Sequence, residues 1–421
     1  MSTPYTDTGN VAQAPKAAPM TAVLRSRSYL VLWSAQFASL MAGFFNYVAV
    51  AWLVLQITGS NLAVGGVLAA ASIPQAVFML LGGAISDRFS PRTTMLVAGV
   101  ARGAVMAVLA LLTLTHSIQL PELFAGAVLV GTTSAFFVPA STSILPRLVP
   151  GDQLEAGNAL LNLSRTASMI VGSALAGVVV AAAGAGTGLG VDAAASVLAG
   201  LLMVLLPGGA GSSSTQGNPL ADVRDGILHV WGDVQLRTVL LLTSALNLFA
   251  LGAIEVGLPA LAHQRFTQGA AALGITFAAW GLGSTAGSIF AGTRPAPARV
   301  GWIMLGTVAL IGAGIAAAGV APNLPVLVPI MVVLGAVEGL ASTYMISWLQ
   351  RRTDPGMQGR VMSLAMFASI GLEPVALALS GALASRQLGL LFWGSAVAVE
   401  LTARSGDAKV LTRARAVVRL P

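Results

Sequence analysis

Twelve apolar stretches, separated by short polar gaps, run along the chain from residue 29 to residue 403. Most of them reach about 20 residues, the length that an α-helix needs to cross a hydrocarbon core of roughly 30 Å. They are longer than the roughly 10 alternating residues of a membrane β-barrel strand, and lipid offers no hydrogen-bond partner to an open backbone. The pattern therefore predicts an all-α membrane protein with twelve transmembrane helices in two six-helix halves. The predicted spans are 29–57, 62–83, 93–115, 120–144, 159–183, 189–206, 238–261, 271–292, 300–320, 324–349, 361–384 and 388–403.

A polar break divides the twelve stretches into two sets of six. Gly, Ser and acidic residues replace apolar ones there, so we interpret it as a flexible cytoplasmic linker. Residues 1–24 lack a charged leader followed by a short apolar core and are expected to be a tail, and the first span is expected to serve as the signal. The predicted organisation is a cytoplasmic tail at 1–28, an N-half at 29–206, the linker at 207–237, a C-half at 238–403 and a cytoplasmic tail at 404–421.

Composition and charge agree with a membrane protein and orient it. The chain is 56% hydrophobic and only 9% charged, which leaves too little polar surface for a soluble globule. If both termini are cytoplasmic, 18 of the 22 Lys and Arg residues lie on the cytoplasmic side. Only Arg265 and Arg386 then lie outside, as the positive-inside rule requires. We therefore expect a bacterial plasma membrane protein with membrane lipids as partners, and the net charge of +7 requires no nucleic-acid partner.

The gap after the second stretch reads GAISDRFSPR at residues 83–92. It resembles the signature loop of the major facilitator superfamily, G-x-x-x-D-R/K-x-G-R-R/K. The matching residues are Gly83, Asp87, Arg88 and Arg92, and Ser90 and Pro91 replace a glycine and an arginine. The Ser-Pro pair also predicts a helix N-cap and first helical residue. The resemblance implies the major facilitator fold, with a latch between the halves through Asp87 that has one arginine fewer.

Three further segments resemble the branch of this superfamily that includes the enterobactin exporter and macrolide efflux proteins. They are AWLVLQITGS at residues 51–60, PASTSILPRLVP at 139–150, and QRRTDP with GRV at 350–361. The last two are helix–loop–helix corners at matching positions of the two halves, which supports an internal repeat. The resemblance implies a transporter that binds its substrate between the halves. This branch often carries an acid in its first helix and another in its third, and the corresponding residues here are Gly43 and Gly99. The loop at 293–299 also lacks the acid of the signature.

Three acids within or near apolar spans are candidates for proton coupling. A charge that faces lipid costs about 2.5–3.5 kcal/mol, so Glu255, Glu338 and Glu373 are expected to face a cavity or a partner. For Glu255 the alternative is an outer helix end that reaches water. Glu373 precedes Pro374, so a structural role at a helix kink is the alternative there.

Two arginines lie within the spans, and arginine cannot lose its charge to escape the cost of burial. We expect structural pairing for both. Arg102 is expected to reach the membrane surface or to pair with a neighbour, and Arg165 to pair with Asp87 or Asp152. Asp192 follows two glycines and is expected to be a helix-start acid rather than a proton carrier.

Softer candidates for the wall of a substrate cavity are polar and aromatic residues within the spans. Hydrogen-bonding groups and aromatic faces suit a large amphipathic solute. For each of them, helix packing or an interfacial aromatic belt is the alternative. The candidates are Gln36, Asn46, Tyr47, Asn162, Asn247, Trp280, Tyr344 and Trp348.

No enzyme motif is present in the sequence. It has no phosphate-binding Walker loop, no nucleophile beside a base and no paired metal ligands among its three histidines, so we expect no metal, no cofactor and no enzymatic activity. The main hypothesis is a monomeric, proton-coupled exporter of an amphipathic natural product or drug, such as a siderophore or a macrolide. The alternatives are an importer of a small organic solute and a non-transporting membrane sensor or accessory protein.

Overall fold

The protein is a bundle of long helices. The computed structural model describes residues 23–88, 90–150, 153–207, 219–294, 300–353 and 357–405, with side chains left out for some of them, including residues 79–88. The helices in chain order are α1 (Arg27–Thr58), α2 (Asn61–Arg88), α3 (Pro91–Leu114), α4 (Leu120–Leu148), α5 (Leu154–Leu202), α6 (Pro219–Gly232), α7 (Val234–Gly252), α8 (Leu258–Arg265), α9 (Ala270–Thr293), α10 (Val300–Gly319), α11 (Leu324–Arg352), α12 (Gln358–Ile370), α13 (Glu373–Arg386) and α14 (Leu388–Ser405).

Local sequence signals set several helix ends. The Ser26 hydroxyl accepts a hydrogen bond from the backbone N–H of Tyr29 and caps α1, which ends at Gly59 with a left-handed φ of 61°. Helix α3 begins at Pro91, as the Ser-Pro pair predicts, although the Ser90 side chain makes no capping bond. Asp233 caps α7 by accepting from two backbone N–H groups. Ser26 and Asp233 therefore fix where α1 and α7 begin, and Gly59 fixes where α1 ends.

Nine helices in the described part of the chain are long and apolar enough to cross a membrane. Two shorter apolar helices, Ile303–Gly319 and Leu388–Thr402, accompany them. The chain is therefore a multi-pass helical membrane protein, and the twelve-helix count stays a prediction.

The fifth and sixth predicted spans are the two segments of α5, which meet at a break at Gly184, where φ is 84° and ψ is 164°, within the predicted gap at 184–188. Three other predicted elements differ from the structure. The seventh span begins at Val234 and contains a π-helical turn at Ala253–Gly257 before α8. The eleventh is divided into α12 and α13. The flexible-linker prediction is wrong for residues 219–232, which form α6, because burial of Val230 against Leu236 and Leu349 stabilises that helix.

Helices contact one another both within each half and across the boundary between the halves. Helix α5 contacts α1 and α3 in the N-half, and α9 contacts α11 in the C-half. Between the halves, the extensive contacts are α5 with α9 and α2 with α13. This pairing places the interface between two helices of each half, as expected for an internal repeat.

Glycines allow the halves to meet closely at one end of the bundle. A Cβ added to Gly177 of α5 would lie 2.8 Å from the Cα of Gly274 in α9, and one added to Gly65 of α2 would lie 2.8 Å from the Cα of Gly381 in α13. Asn61 donates to the Ala384 carbonyl across the same interface at 3.1 Å. We name this end, where Gly59, Gly269 and Gln387 also lie, the closed end.

Candidate functional site

A central cavity lies beyond the closed end and has two compartments. The first, of about 430 Å³, is lined mainly by the N-half, with Glu255 and Phe277 from the C-half. The second, of about 450 Å³, is lined by the C-half, including Asn247 and Glu338. Arg165 of α5 lines both compartments. Apolar surface predominates in both compartments, with polar side chains distributed among it, which suits a small amphipathic molecule.

Glu373 lies at the contact between the halves. It is the first residue of α13, and the Ser72 hydroxyl of α2 donates a hydrogen bond to its carboxylate at 2.6 Å. Pro374 occupies the first turn of α13, where its missing N–H costs no helical hydrogen bond. The two hypotheses for Glu373, proton coupling and a structural role at a helix kink, are therefore compatible. The break before α13 is what positions the Glu373 carboxylate at the interface between the halves.

Glu255 lies in the π-helical turn between α7 and α8, a form of helix that is frequent at functional sites. It lines the first compartment, and its carboxyl group is close enough to that of Glu373 to interact electrostatically. The Tyr47 hydroxyl of α1 donates to the Glu255 backbone carbonyl at 2.7 Å, and the Tyr47 ring makes an edge contact with Phe277. Glu255 is partly buried against the N-half rather than free at an outer helix end.

Glu338 occupies the second compartment and contacts a neighbouring helix within its own half. The Ser284 hydroxyl of α9 donates to its carboxylate at 2.8 Å. The bond does not cross between the halves. Rearrangement of the halves therefore disturbs the surroundings of Glu373 more directly than those of Glu338.

Arg102 forms an ion pair within the N-half. Its guanidinium lies 3.4 Å from Asp192, which is fully buried and accepts a hydrogen bond from Ser196 at 2.9 Å. Ser134 completes the surroundings at 3.5 Å. Asp192 lies two turns beyond the break at Gly184, so the helix-start prediction is wrong. The ion pair with Arg102, rather than the dipole at a helix start, accounts for a buried carboxylate at residue 192.

Arg165 is exposed to the central cavity. It lies eleven residues into α5, roughly 16 Å from the first residue, Leu154, because a helix rises about 1.5 Å per residue. Asp152 lies outside the described residues, so the expected pairing with it stays a prediction. The side chain of Asp87 is outside the described part, and no described carboxylate forms an ion pair with Arg165.

The structure divides the eight softer cavity candidates. Tyr47 lines the first compartment and Asn247 the second. The expectation that the other six line this cavity is wrong for the two compartments described, since their side chains are engaged or face elsewhere. Gln36 donates to the Ser141 carbonyl, and Asn46 contacts the Met106 sulfur. Asn162 is exposed outside the compartments, and Trp280 packs against the C-half core. Tyr344 is buried beside a separate groove, and the Trp348 ring lies under the Arg352 guanidinium.

The signature loop is described in part. Gly83, Asp87 and Arg88 belong to the last turns of α2, and their side chains and the Asp87 latch lie outside the described part. Arg92 donates to the carbonyls of Met203 and Val204 at 2.8 Å each. It therefore stabilises the carbonyl end of the last helical turn of the N-half.

Sequence reasoning missed several polar partners. Ser72, Ser134 and Ser284 gave no signal, because serine is common in membrane helices. The sequence did contain a signal for Asp192, because a buried arginine such as Arg102 requires an anion nearby. Among the described residues, no group of three or more His, Asp or Glu side chains could hold a metal ion.

The profile of the Major Facilitator Superfamily matches residues 32–372. The chain is 27% identical over 382 residues to the multidrug efflux pump Tap of Mycolicibacterium fortuitum, covering 87% of this chain and 91% of that protein. It is 25% identical over 362 residues to the enterobactin exporter EntS of Shigella boydii, covering 85% of each.

Solved structures of transporters share the fold. The nucleoside transporter NupG aligns with a TM-score of 0.72 at 13% identity, over 90% of this chain and 98% of that chain. An auto-inhibited POT family peptide transporter aligns with a TM-score of 0.73 at 14% identity, over 92% of this chain and 97% of that chain. These likenesses concern the fold alone. The family match confirms the predicted resemblance, fold class and absence of enzymatic activity, and the chain belongs to the major facilitator superfamily of transporters.

Proposed function

We propose that the protein is a proton-coupled exporter of a bulky amphipathic natural product or drug. It works by alternating access, as a monomer, in a bacterial plasma membrane with both termini in the cytoplasm. The names of two relatives, a multidrug efflux pump and an enterobactin exporter, support export. The largely apolar cavity supports an amphipathic substrate more than a small, highly charged one.

The positions of the basic residues orient the cavity. Arg92, Arg147, Arg237 and Arg352 lie near the helix ends opposite the closed end. By the positive-inside rule those ends face the cytoplasm. The closed end then faces outside, and the second compartment extends toward the cytoplasm at Val239 and Met304. This conformation is suited to taking up substrate from the cell interior.

The hydrogen bond between Ser72 and Glu373 carries the proposal of proton coupling. It joins α2 and α13, two helices that must separate when the closed end opens. A hydrogen bond to an ionised carboxylate is stronger than one to a neutral carboxyl group. Protonation of Glu373 and separation of the halves are therefore linked, and Glu255 provides a second carboxyl group beside it.

The test is efflux from efflux-deficient bacteria that express the protein, with a panel of siderophores, macrolides and fluorescent amphiphiles. We expect lower accumulation of at least one compound, and a protonophore should abolish the difference. In Glu373→Gln, which cannot release a proton, uphill efflux should fall about tenfold or more. In proteoliposomes the same variant should still exchange substrate across the membrane without a proton gradient.

Two carboxyl controls make the test specific. Glu122→Gln changes a half-buried acid that caps α4 and lines neither compartment, and it should leave efflux unchanged. Glu338→Gln tests the acid of the second compartment. Loss of uphill efflux in Glu338→Gln with full efflux in Glu373→Gln would move the coupling site to Glu338. Higher accumulation on expression would indicate an importer, and no change for any compound would favour the non-transporting alternative.

A further inference from the structure

Arg165 is a cation at the junction of the two cavity compartments. It is exposed although it lies well inside an apolar helix, so its guanidinium faces the cavity rather than packed side chains. Arginine stays charged at any physiological pH, and its planar fork of donors matches a carboxylate. Such a cation needs an anion or water in the membrane interior.

The described acids of the cavity do not neutralise this charge. Glu255 and Glu338 each line a compartment with Arg165, but neither forms an ion pair with it. Glu338 instead accepts a hydrogen bond from Ser284. Arg165 therefore lines the space that a substrate would fill and has no ion pair with a described carboxylate.

Arg102 adds a second cation to the first compartment. Its Nη2 pairs with Asp192 and its Nη1 donates to Ser134, whereas its buried Nε has no hydrogen-bond partner. The same compartment is also lined by the apolar side chains of Phe44, Phe137 and Met169. The wall thus combines an apolar surface with donors for one negative group.

We propose that the substrate is an amphipathic anion whose carboxylate, or an equivalent anionic group, binds Arg165. The apolar body of the substrate lies against Phe44 and Phe137 of the first compartment, and the unpaired Nε of Arg102 offers a further donor there. This inference rests on the proposed function, because it names the substrate class of the same cavity. A purely cationic or neutral drug would leave the Arg165 charge unpaired and would bind less tightly.

The experiment uses two matched probes, dansyl-leucine and its amide, which differ in one negative charge. Binding to the purified full-length protein in neutral detergent is followed by dansyl fluorescence. We expect the carboxylate to bind about tenfold or more tightly than the amide. Arg165→Gln should abolish this preference, whereas Arg165→Lys should retain part of it. Arg386→Gln, an exposed arginine at the end of α13, serves as the matched control and should keep the full preference.

A second variant covers the case in which Arg165→Gln does not fold. A Cβ at Gly43, which lines the same compartment, would meet no atom within 4 Å, so Gly43→Glu is chosen to add a carboxylate to the cavity wall. We expect it to weaken dansyl-leucine binding about tenfold and to leave amide binding unchanged. Equal affinities of the two probes in the wild-type protein, or an unchanged preference in both variants, would overturn the proposal.

Competition and transport distinguish the remaining outcomes. Phosphatidylglycerol that displaces dansyl-leucine as effectively as unlabelled leucine derivatives would assign the site to a lipid headgroup and overturn the substrate assignment. Efflux of neutral but not anionic compounds would overturn this inference while leaving the proposed export intact. Absence of all efflux despite a charge preference in binding would overturn the proposed export and leave the anion site standing.

Discussion

The close contact of Gly177 and Gly274 is expected to hold the closed end together. In Gly177→Ala the new Cβ would lie 2.8 Å from the Gly274 Cα and 3.0 Å from the Ala270 carbonyl oxygen. Ordinary van der Waals contacts begin at 3.4 Å, so the helices must separate locally by about 0.6 Å. Both partner atoms belong to backbone, which cannot move aside as the end of a flexible side chain can.

The free-energy cost of this separation destabilises only the conformation in which the halves meet at the closed end. Overpacking at a tight contact costs about 1–3 kcal/mol. Because the clash lies between the halves, moving the halves apart at this end relieves it without unfolding either half. The ratio of closed to open forms at this end should therefore fall roughly 5- to 150-fold. Adding Gly65→Ala, which meets Gly381 in the same way, should increase the effect.

Distances between spin labels measure the two forms. The chain has no cysteine, so labels can be placed without removing native residues. Gln56→Cys with Gln264→Cys spans the closed end, and Thr93→Cys with Val234→Cys spans the opposite end. In Gly177→Ala we expect a longer distance population at the closed end and a shorter one at the opposite end.

A helical glycine without neighbours supplies the control. A Cβ at Gly190 meets nothing within 4 Å, so Gly190→Ala should leave both distance distributions unchanged. If Gly177→Ala also leaves them unchanged while the protein stays folded, the contact does not determine the conformation. If both distances lengthen together, the substitution loosens the fold and the reasoning is refuted.

Three other changes test parts of the structure that hold the site. Asp192→Asn leaves the Arg102 charge buried without its partner, and the unfolding free energy in detergent should fall by about 3–5 kcal/mol; a loss under about 1 kcal/mol would match a surface pair instead. Gly184→Ala places a Cβ on a backbone with φ at 84° and ψ at 164°, and should cost about 1–3 kcal/mol in the same assay, more than Gly190→Ala. Asp233→Asn keeps an oxygen to cap α7 but loses the charge that faces Arg352, so it should cost less than about 1 kcal/mol, whereas Asp233→Ala also loses the cap and should cost about 1 kcal/mol more; equal losses would contradict the capping role.

Local signals allowed much of the helical framework to be predicted. The start of α3 followed from the Ser90–Pro91 pair, since proline fits the first turn of a helix and favours its beginning. The break at Gly184 lies in the gap predicted between the fifth and sixth spans. The division of the eleventh span at residues 371–372 was expected only as a kink at Pro374, because it lies within an apolar stretch whose hydropathy does not change. Hydropathy measures transfer into lipid, and it is insensitive to where a helix bends.

The candidate site was predicted less completely. The three acids were identifiable because a charge in an apolar span is costly and needs a reason. Their partners were not, since Ser72 lies 301 residues from Glu373 and Asp192 lies 90 residues from Arg102. Of the softer candidates, only Tyr47 and Asn247 line the compartments, because which face of a helix points inward depends on its neighbours.

The sequence by itself determined that the chain is a helical membrane protein of the major facilitator superfamily. Lipid permits few backbone structures, so the length and composition of each apolar stretch were sufficient for the fold class. The tertiary structure alone decided that Glu373 bonds across the halves, that Arg102 is paired and that Arg165 faces the cavity. Those outcomes depend on how helices distant in sequence pack and rotate against one another, and no local pattern encodes that geometry.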